Sequence, residues 1–322
     1  MARSRLDTAR IRAARAAIDR QFLDSPCYRI PELETELGCR VSVKLETANP
    51  VGSFKARGTE VVASGLVDRG EHAVICASAG NMGHALAWSG RSRGLDVTVV
   101  ASHHAPARKL ASIRALGADL RLVDGDFDLA REHAAALAQQ HGIRLLEDSR
   151  DIETCEGAAT IGLELAESVA NFDTVLVALG GGALAVGIGH VMKELAPHVE
   201  VIGVQPVGAS AMAQSWRQGR VVTTDSTDTI ADGVASRCPV PAVVNDLLAV
   251  VDDVITVAES SIITGMAALF TRAGLVVEPS AALGIAAVAE NLHRFAGRDV
   301  VTVLCGNNVN SDVFTTWVSA RR

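Results

Sequence analysis

Four short segments of this chain hold residues whose chemistry makes sense only in combination. The first, Gly52-Ser53-Phe54-Lys55-Ala56-Arg57-Gly58, follows the strand-like Val43-Lys44-Leu45-Glu46 and the turn Asn49-Pro50. A lysine at a helix start, flanked by small residues and a phenylalanine, can form an imine with an aldehyde cofactor, and burial tunes it toward the neutral amine. Taken alone, Lys55 reads more simply as a surface lysine. The second, Ser78-Ala79-Gly80-Asn81-Met82-Gly83, lies between a strand ending at Ala77 and a helix. Backbone N–H groups at such a helix start converge with a hydroxyl and an amide, a receptor for a carboxylate or another anion. The plainer reading is a capped turn.

The third segment, Leu179-Gly180-Gly181-Gly182-Ala183-Leu184, again joins a strand to a helix. Three consecutive glycines let the backbone wrap closely round a phosphate, whose charge the helix terminus favours. No GxGxxG spacing opens the first βα unit and no acidic ribose ligand is evident, so a dinucleotide fits poorly. A Walker loop would need a lysine and a hydroxyl residue after the last glycine. The phosphate of a smaller cofactor fits better. The fourth segment, Val303-Leu304-Cys305-Gly306-Asn307-Asn308, ends the last strand, where ligands of open α/β sheets gather. A free cysteine at such a place is commonly a buried small hydrophobe.

Positioning these segments requires a parallel sheet covered by helices, and the pattern supplies one. Short runs of Val, Ile and Leu alternate with longer segments of helical period. Strands are expected at 41–46, 73–77, 97–101, 120–123, 143–147, 174–179, 201–204 and 300–304. Helices are expected over 9–21, 54–68, 83–93, 107–116, 129–140, 158–168, 183–195, 260–272 and 281–292. The stretch 175–192 lacks Asp, Glu, Lys and Arg, but its glycines make it a strand, a turn and a buried helix rather than a membrane span. The strands and helices from about Glu71 to Glu147 form a unit of their own. A small lobe of residues 67–146 is therefore expected to be inserted in a large lobe of 1–66 and 147–322, with no regulatory domain.

The bulk properties bound the partners. A chain of 322 residues, 48% hydrophobic and 21% charged, is soluble, globular and long enough for two lobes with a cleft between them. A net charge of −7 recruits neither nucleic acid nor an anionic membrane. Six scattered cysteines without a CxxC pair read as reduced thiols of a cytoplasmic protein. The charged, helical N-terminus lacks the apolar core of a secretory signal, and two aspartates argue against a mitochondrial presequence.

In this order the four segments resemble the fold-type II pyridoxal-phosphate enzymes (tryptophan synthase β-like), specifically the serine/threonine dehydratases, or threonine ammonia-lyases, and serine racemases. The likeness extends to Lys44-Leu45-Glu46, Ala105-Pro106 with Lys109, Leu116-Gly117-Ala118, Ala231-Asp232-Gly233-Val234 and Glu278-Pro279-Ser280-Ala281. It covers nearly the whole chain. The resemblance implies an α/β protein of two open twisted lobes with pyridoxal 5'-phosphate in the cleft, and a homodimer. It implies that Lys55 carries the cofactor as a Schiff base and then takes the substrate's α-proton. By the same analogy Phe54 and Gly233 flank the ring, and Asn81 hydrogen-bonds its phenolic oxygen. Gly180, Gly181, Gly182, Ala183 and Leu184 hold the phosphate, and Cys305 faces the ring nitrogen. A thiol there leaves the ring a milder electron sink than an aspartate would. Ser78, Ala79, Gly80, Asn81 and Met82 grip the carboxylate of a small amino-acid substrate, Ser78 acting in catalysis. The implied reaction is α,β-elimination of a β-hydroxy amino acid to a 2-oxo acid and ammonia.

Rival readings divide on single residues. Racemisation needs an acid on the opposite ring face, usually a serine where this chain has Ala79. Threonine synthases typically have an aspartate where Ala56 stands, and β-replacement enzymes fit the lysine context and Cys305 less well. A non-catalytic cofactor-binding module is disfavoured because Lys55, Asn81 and the glycine turn are all present.

The chain also departs from the family pattern. Met82 replaces a common histidine and His84 a frequent glutamine, which hints at a substrate less ordinary than serine. Cys155-Glu156-Gly157-Ala158 stands where Gly-Gln-Gly-Thr is usual. If Glu156 faces the cleft, its charge selects a substrate with an extra cationic or hydrogen-bonding group; otherwise it is a solvated glutamate. Positions that carry cation-binding acids in some relatives are Gln205 and Ala211, and neither His103-His104 nor Asp124–Asp128 restores such a site, so no metal is expected.

Overall fold

Runs of β-branched residues build two separate sheets in this computed structural model, which describes residues 3–168 and 171–319. Residues 1–2, 169–170 and 320–322 of the expected large lobe lie outside the described residues. The strands are β1 (Cys27–Arg29), β2 (Arg40–Leu45), β3 (Ala73–Ala77), β4 (Asp96–Ser102), β5 (Asp119–Val123), β6 (Arg144–Leu146), β7 (Thr174–Ala178), β8 (Glu200–Pro206), β9 (Asp253–Val257) and β10 (Asp299–Leu304). One sheet runs β1-β2-β10-β7-β8-β9 and the other β5-β4-β3-β6. Every pairing is parallel except the edge pair β1–β2. Helices cover both faces, so β7 and β10 are buried almost end to end, and their sequences read as continuous apolar runs rather than alternating ones.

Each expected strand is present, with ends shifted by a residue or two, but β1 and β9 were not expected. β1 is a half-exposed Cys-Tyr-Arg edge with no apolar run. β9 is a short Asp-Val-Ile-Thr-Val run, set off from the preceding helix Pro241–Val250 by Val251-Asp252. Short helices at Pro31–Leu37, Ala211–Gln218, Pro241–Val250, Leu292–Phe295 and Ser311–Ser319 were likewise missed. The uncharged stretch around 175–192 is β7, a glycine turn and helix Ala183–Leu195; no helix among the described residues is long and apolar enough to cross a membrane.

Helix Lys55–Asp68 connects the sheets. Its N-terminus is tied to the end of β10, Phe54 N–H donating to Cys305 O at 3.0 Å, and Val62, Ala63 and Leu66 lie in the core of the four-stranded sheet. Helix Ile152–Ser168 passes close beneath it. A Cβ at Gly157 would lie 2.5 Å from the Arg57 carbonyl, so only glycine permits this approach.

Between these helices a buried ion cluster fixes the segment that bears Lys55. Arg57 donates to Glu46 (2.8 Å to each carboxylate oxygen), to Glu164 (2.5 and 3.0 Å) and to Thr160 (3.0 Å). Lys44 donates to Glu164 at 2.6 Å. All four charged side chains are buried, and their two cations match their two anions. Burial alone would raise the Glu164 carboxyl, but the bonds and charges of Arg57 and Lys44 outweigh it and hold it down to about 2.

Candidate active site

The C-terminal ends of both sheets open onto one cleft of about 790 Å³, the place where open α/β sheets gather ligands. Phe54, Lys55, the Ser78–Met82 loop, Gly180 to Leu184, Gly233 and Cys305 all line it. Every site residue expected from the sequence is therefore brought to one place. Lys55 starts its helix, and its Nζ lies 4.6 Å from the centroid of the Phe54 ring. The lysine Nζ donates to Asp148, which follows β6 and was not singled out in the sequence.

The glycine turn is shaped by its neighbours. Gly182 is the N-cap of helix Ala183–Leu195 at φ +107°, and it offers no side chain to cap the helix. Ala183 N–H donates to Ser149 Oγ at 3.2 Å. A Cβ at Gly180 would meet Gly233 O at 3.0 Å, and one at Gly182 would meet Val243 Cγ1 at 2.4 Å. A helix terminus whose N-cap residue carries no side chain, approached by a glycine-only turn, suits a phosphate. Gly182→Ala is expected to introduce about 1–3 kcal/mol of backbone strain and to weaken cofactor affinity at least about tenfold; denaturant midpoints and cofactor titration measure the two effects.

The Ser78–Met82 loop closes the opposite side. Ser78 Oγ accepts the Gly80 N–H at 3.1 Å, which fixes the turn into helix Asn81–Arg93. Asn81 Nδ2 donates to both Glu278 oxygens at 3.0 Å, while its Oδ1 accepts from Asn308 Nδ2 at 2.8 Å. Lys109 pairs with Asp232, and Arg237 with Asp128. These bonds draw the two sheets' loops together over the cleft. Met82 is buried in the core of the smaller sheet while still lining the cleft, and burial pushes the His84 imidazole below its ordinary value.

At the cleft floor, burial and the nearby Glu278 push the Cys305 thiol far above its ordinary range, so it is a neutral S–H. Burial also raises the Glu278 carboxyl, against the bonds from Asn81. Ser280 Oγ is buried without a hydrogen-bond partner among the described residues, and a Cβ at Gly233 would come within 2.7 Å of it. A lysine amine, an aromatic ring beside it, a glycine turn at a helix terminus and a neutral floor with a spare hydroxyl form a set that fits a phosphorylated pyridine aldehyde. Glu278 and Ser280 were visible in a quoted motif, but nothing in the sequence aimed them at the cleft.

Glu156 does not face the cleft. It is buried against Arg10 at 2.7 Å, and burial raises its carboxyl. The helix begins at Ile152, earlier than expected, and its rotation turns position 156 toward the N-terminal helix Thr8–Ala17. Gln205 is buried and its Oε1 accepts the Ala213 N–H at 2.8 Å; Ala211 is buried beside it. His103, His104 and Asp124 meet on the surface with their ligand atoms within 4.8 Å of one another, all three exposed.

The family model described as "Pyridoxal-phosphate dependent enzyme" matches residues 18–306. The chain is 32% identical to L-threonine ammonia-lyase of Thermotoga maritima over 85% of its own length and 68% of that protein. It is 31% identical to L-threo-3-hydroxyaspartate ammonia-lyase of Saccharomyces cerevisiae, covering 90% and 89% of the two chains. It spans about half the length of several other curated threonine dehydratases that it matches. The processed form of threonine deaminase isoform 2 from Solanum lycopersicum superposes with a TM-score of 0.91 at 27% identity, over 99% of this chain and 95% of that one. With the lysine, the glycine turn and the Ser78–Met82 loop gathered in one cleft, and the family model matched over most of the sequence, the chain belongs to the pyridoxal-phosphate-dependent enzymes of fold type II, in the serine/threonine dehydratase family.

Proposed function

We propose that the chain is an ammonia-lyase that removes the α-proton and the β-hydroxyl of a small β-hydroxy amino acid, L-serine, L-threonine or a close analogue, to give a 2-oxo acid and ammonia. The observation that carries this reading is the convergence of Lys55, the Gly180–Gly182 turn and the Ser78–Met82 loop in one cleft. Relatives named for ammonia release from hydroxy amino acids, threonine and 3-hydroxyaspartate, support it.

When bound, pyridoxal phosphate supplies the electron withdrawal that acidifies the substrate's α-C–H. Lys55 would hold the cofactor aldehyde and serve as the base at its Nζ. The turn from Gly180 to Leu184 would hold the phosphate, Phe54 and Gly233 would flank the ring, and Asn81 would hydrogen-bond its phenolic oxygen. Cys305, a neutral thiol, would face the ring nitrogen. Ser78 and the backbone from Ala79 to Met82 receive the substrate carboxylate. Residues 67–146 act as a small lobe that closes on the remainder through the Asn81–Glu278 and Lys109–Asp232 contacts, which excludes water from the reacting centre. Ala79 offers no acid to the ring face opposite Lys55, which favours elimination over racemisation. A cytoplasmic location accords with six unpaired cysteine thiols, and a homodimer with the family; sedimentation of the purified protein tests the latter.

A panel of L-serine, L-threonine and further β-hydroxy amino acids, assayed for ammonia and 2-oxo acid, is the test. Equal amounts of both products from at least one L-substrate are expected, with no D-enantiomer formed. Failure of all to release ammonia, with a thiol acceptor giving a new amino acid instead, overturns the reading in favour of β-replacement.

A further inference from the structure

Asp148, just beyond β6, carries a carboxylate whose two oxygens are treated differently by the fold. Oδ2 accepts from Lys55 Nζ and lies 3.5 Å from where a Cβ on Gly181 would be. The side chain therefore stands between the lysine and the glycine turn, inside the cleft. Oδ1 is shut off from solvent and has no hydrogen-bond partner among the described residues.

An ionised carboxylate has about four acceptor sites, and an oxygen left unpaired away from water is unfavourable. The other cations lining the cleft are engaged elsewhere: Lys109 with Asp232, Arg150 with Glu147, and Arg131 and Arg237 with Asp128. A ligand that carries a hydrogen-bond donor would supply the partner that Oδ1 lacks among the described residues. Lys55 Nζ must reach the substrate's α-carbon to act as its base, so a carboxylate hydrogen-bonded to that nitrogen is within reach of a substituent one bond further along. The carboxylate of the substrate is taken up on the other side, by the Ser78–Met82 loop.

We propose that Asp148 is a specificity-determining residue that receives the substrate's β-substituent. It selects small amino acids whose β-carbon carries a hydrogen-bond donor, a hydroxyl or an ammonium, and rejects those bearing an anion there. This inference rests on the reading of Lys55 as the cofactor lysine and deepens it: the cationic selectivity that position 156 does not supply is supplied at 148. An ammonium forms the stronger bond because both partners are charged, and a β-carboxylate meets like charge.

Phosphopyridoxyl amino acids, in which cofactor and amino acid are joined by a reduced and unreactive C–N bond, test this on the cofactor-stripped full chain without any turnover. Dissociation constants are measured by calorimetry for the alanine, serine, 2,3-diaminopropionate and aspartate adducts. The wild type is expected to bind the serine and diaminopropionate adducts about 10- to 100-fold more tightly than the aspartate adduct, the range of a charge-assisted hydrogen bond. Asp148→Asn is expected to erase that ranking while binding the alanine adduct as the wild type does. If the wild type binds the aspartate adduct as tightly as the diaminopropionate adduct, or if Asp148→Asn keeps the wild-type ranking, the assignment is overturned while the cofactor site stands. If no adduct binds, the functional reading falls and this inference with it.

Discussion

Lys55→Ala is expected to lower kcat by about 10⁴-fold, the upper range for loss of a positioned acid–base group, while the fold persists. The side chain does two jobs in the proposed reaction, covalent attachment of the cofactor and transfer of the α-proton, and no second amine in the cleft replaces it. Lys109, the other lysine lining the cleft, is held by Asp232 on the opposite rim. The stability change is expected to be small, because the Lys55–Asp148 pair is partly exposed and such pairs contribute about 1 kcal/mol or less. Steady-state kinetics with the preferred substrate, together with thermal melts of both proteins, separate the catalytic loss from any folding defect.

The largest expected effect on stability lies two residues away. Arg57→Met removes the hub that pairs with Glu46 and Glu164, leaving Lys44 to face two buried carboxylates. Breaking a buried pair from one side costs about 3–5 kcal/mol, because uncompensated charge remains out of water. Guanidinium denaturation of the variant measures it. The same cluster sets an acid limit. Glu164 has its carboxyl held down to about 2 from an ordinary 4.5, so its contribution is fully present above pH 4.5 and is lost as the pH falls through that interval toward 2. The wild type is expected to lose stability steeply across this window, and Glu164→Gln, weaker at neutral pH, to show a shallower acid slope.

The parts of the site that could be read from the sequence are those whose chemistry is local. A glycine turn between a strand and a helix announces its backbone shape within six residues, and Gly180 to Leu184 form that turn between β7 and helix Ala183–Leu195. The Ser78–Met82 turn and the lysine at a helix start are legible for the same reason. Asp148 was not, because what gives it meaning is distance across the fold: β6 pairs with β3 while helix Lys55–Asp68 spans both sheets, and only this brings positions 55 and 148 into contact. Glu278 became informative only when Asn81 and Asn308 were found on its oxygens.

Glu156 shows the opposite failure. Its place where the family usually has glutamine invited a role in the cleft, but the face of the helix on which a residue lies decides which way its side chain points. The helix opens at Ile152 and directs Glu156 to Arg10. Similarly, Lys44-Leu45-Glu46 was recognisable as part of a family pattern, yet its purpose is structural: both charged ends join the buried cluster around Arg57.

Borohydride reduction of the cofactor-loaded wild-type enzyme, followed by proteolysis and mass mapping of the pyridoxyl group, tests the central claim most directly. The label is expected on Lys55 alone. A label on Lys44, Lys109 or Lys193, or no covalent label despite bound cofactor, would contradict it.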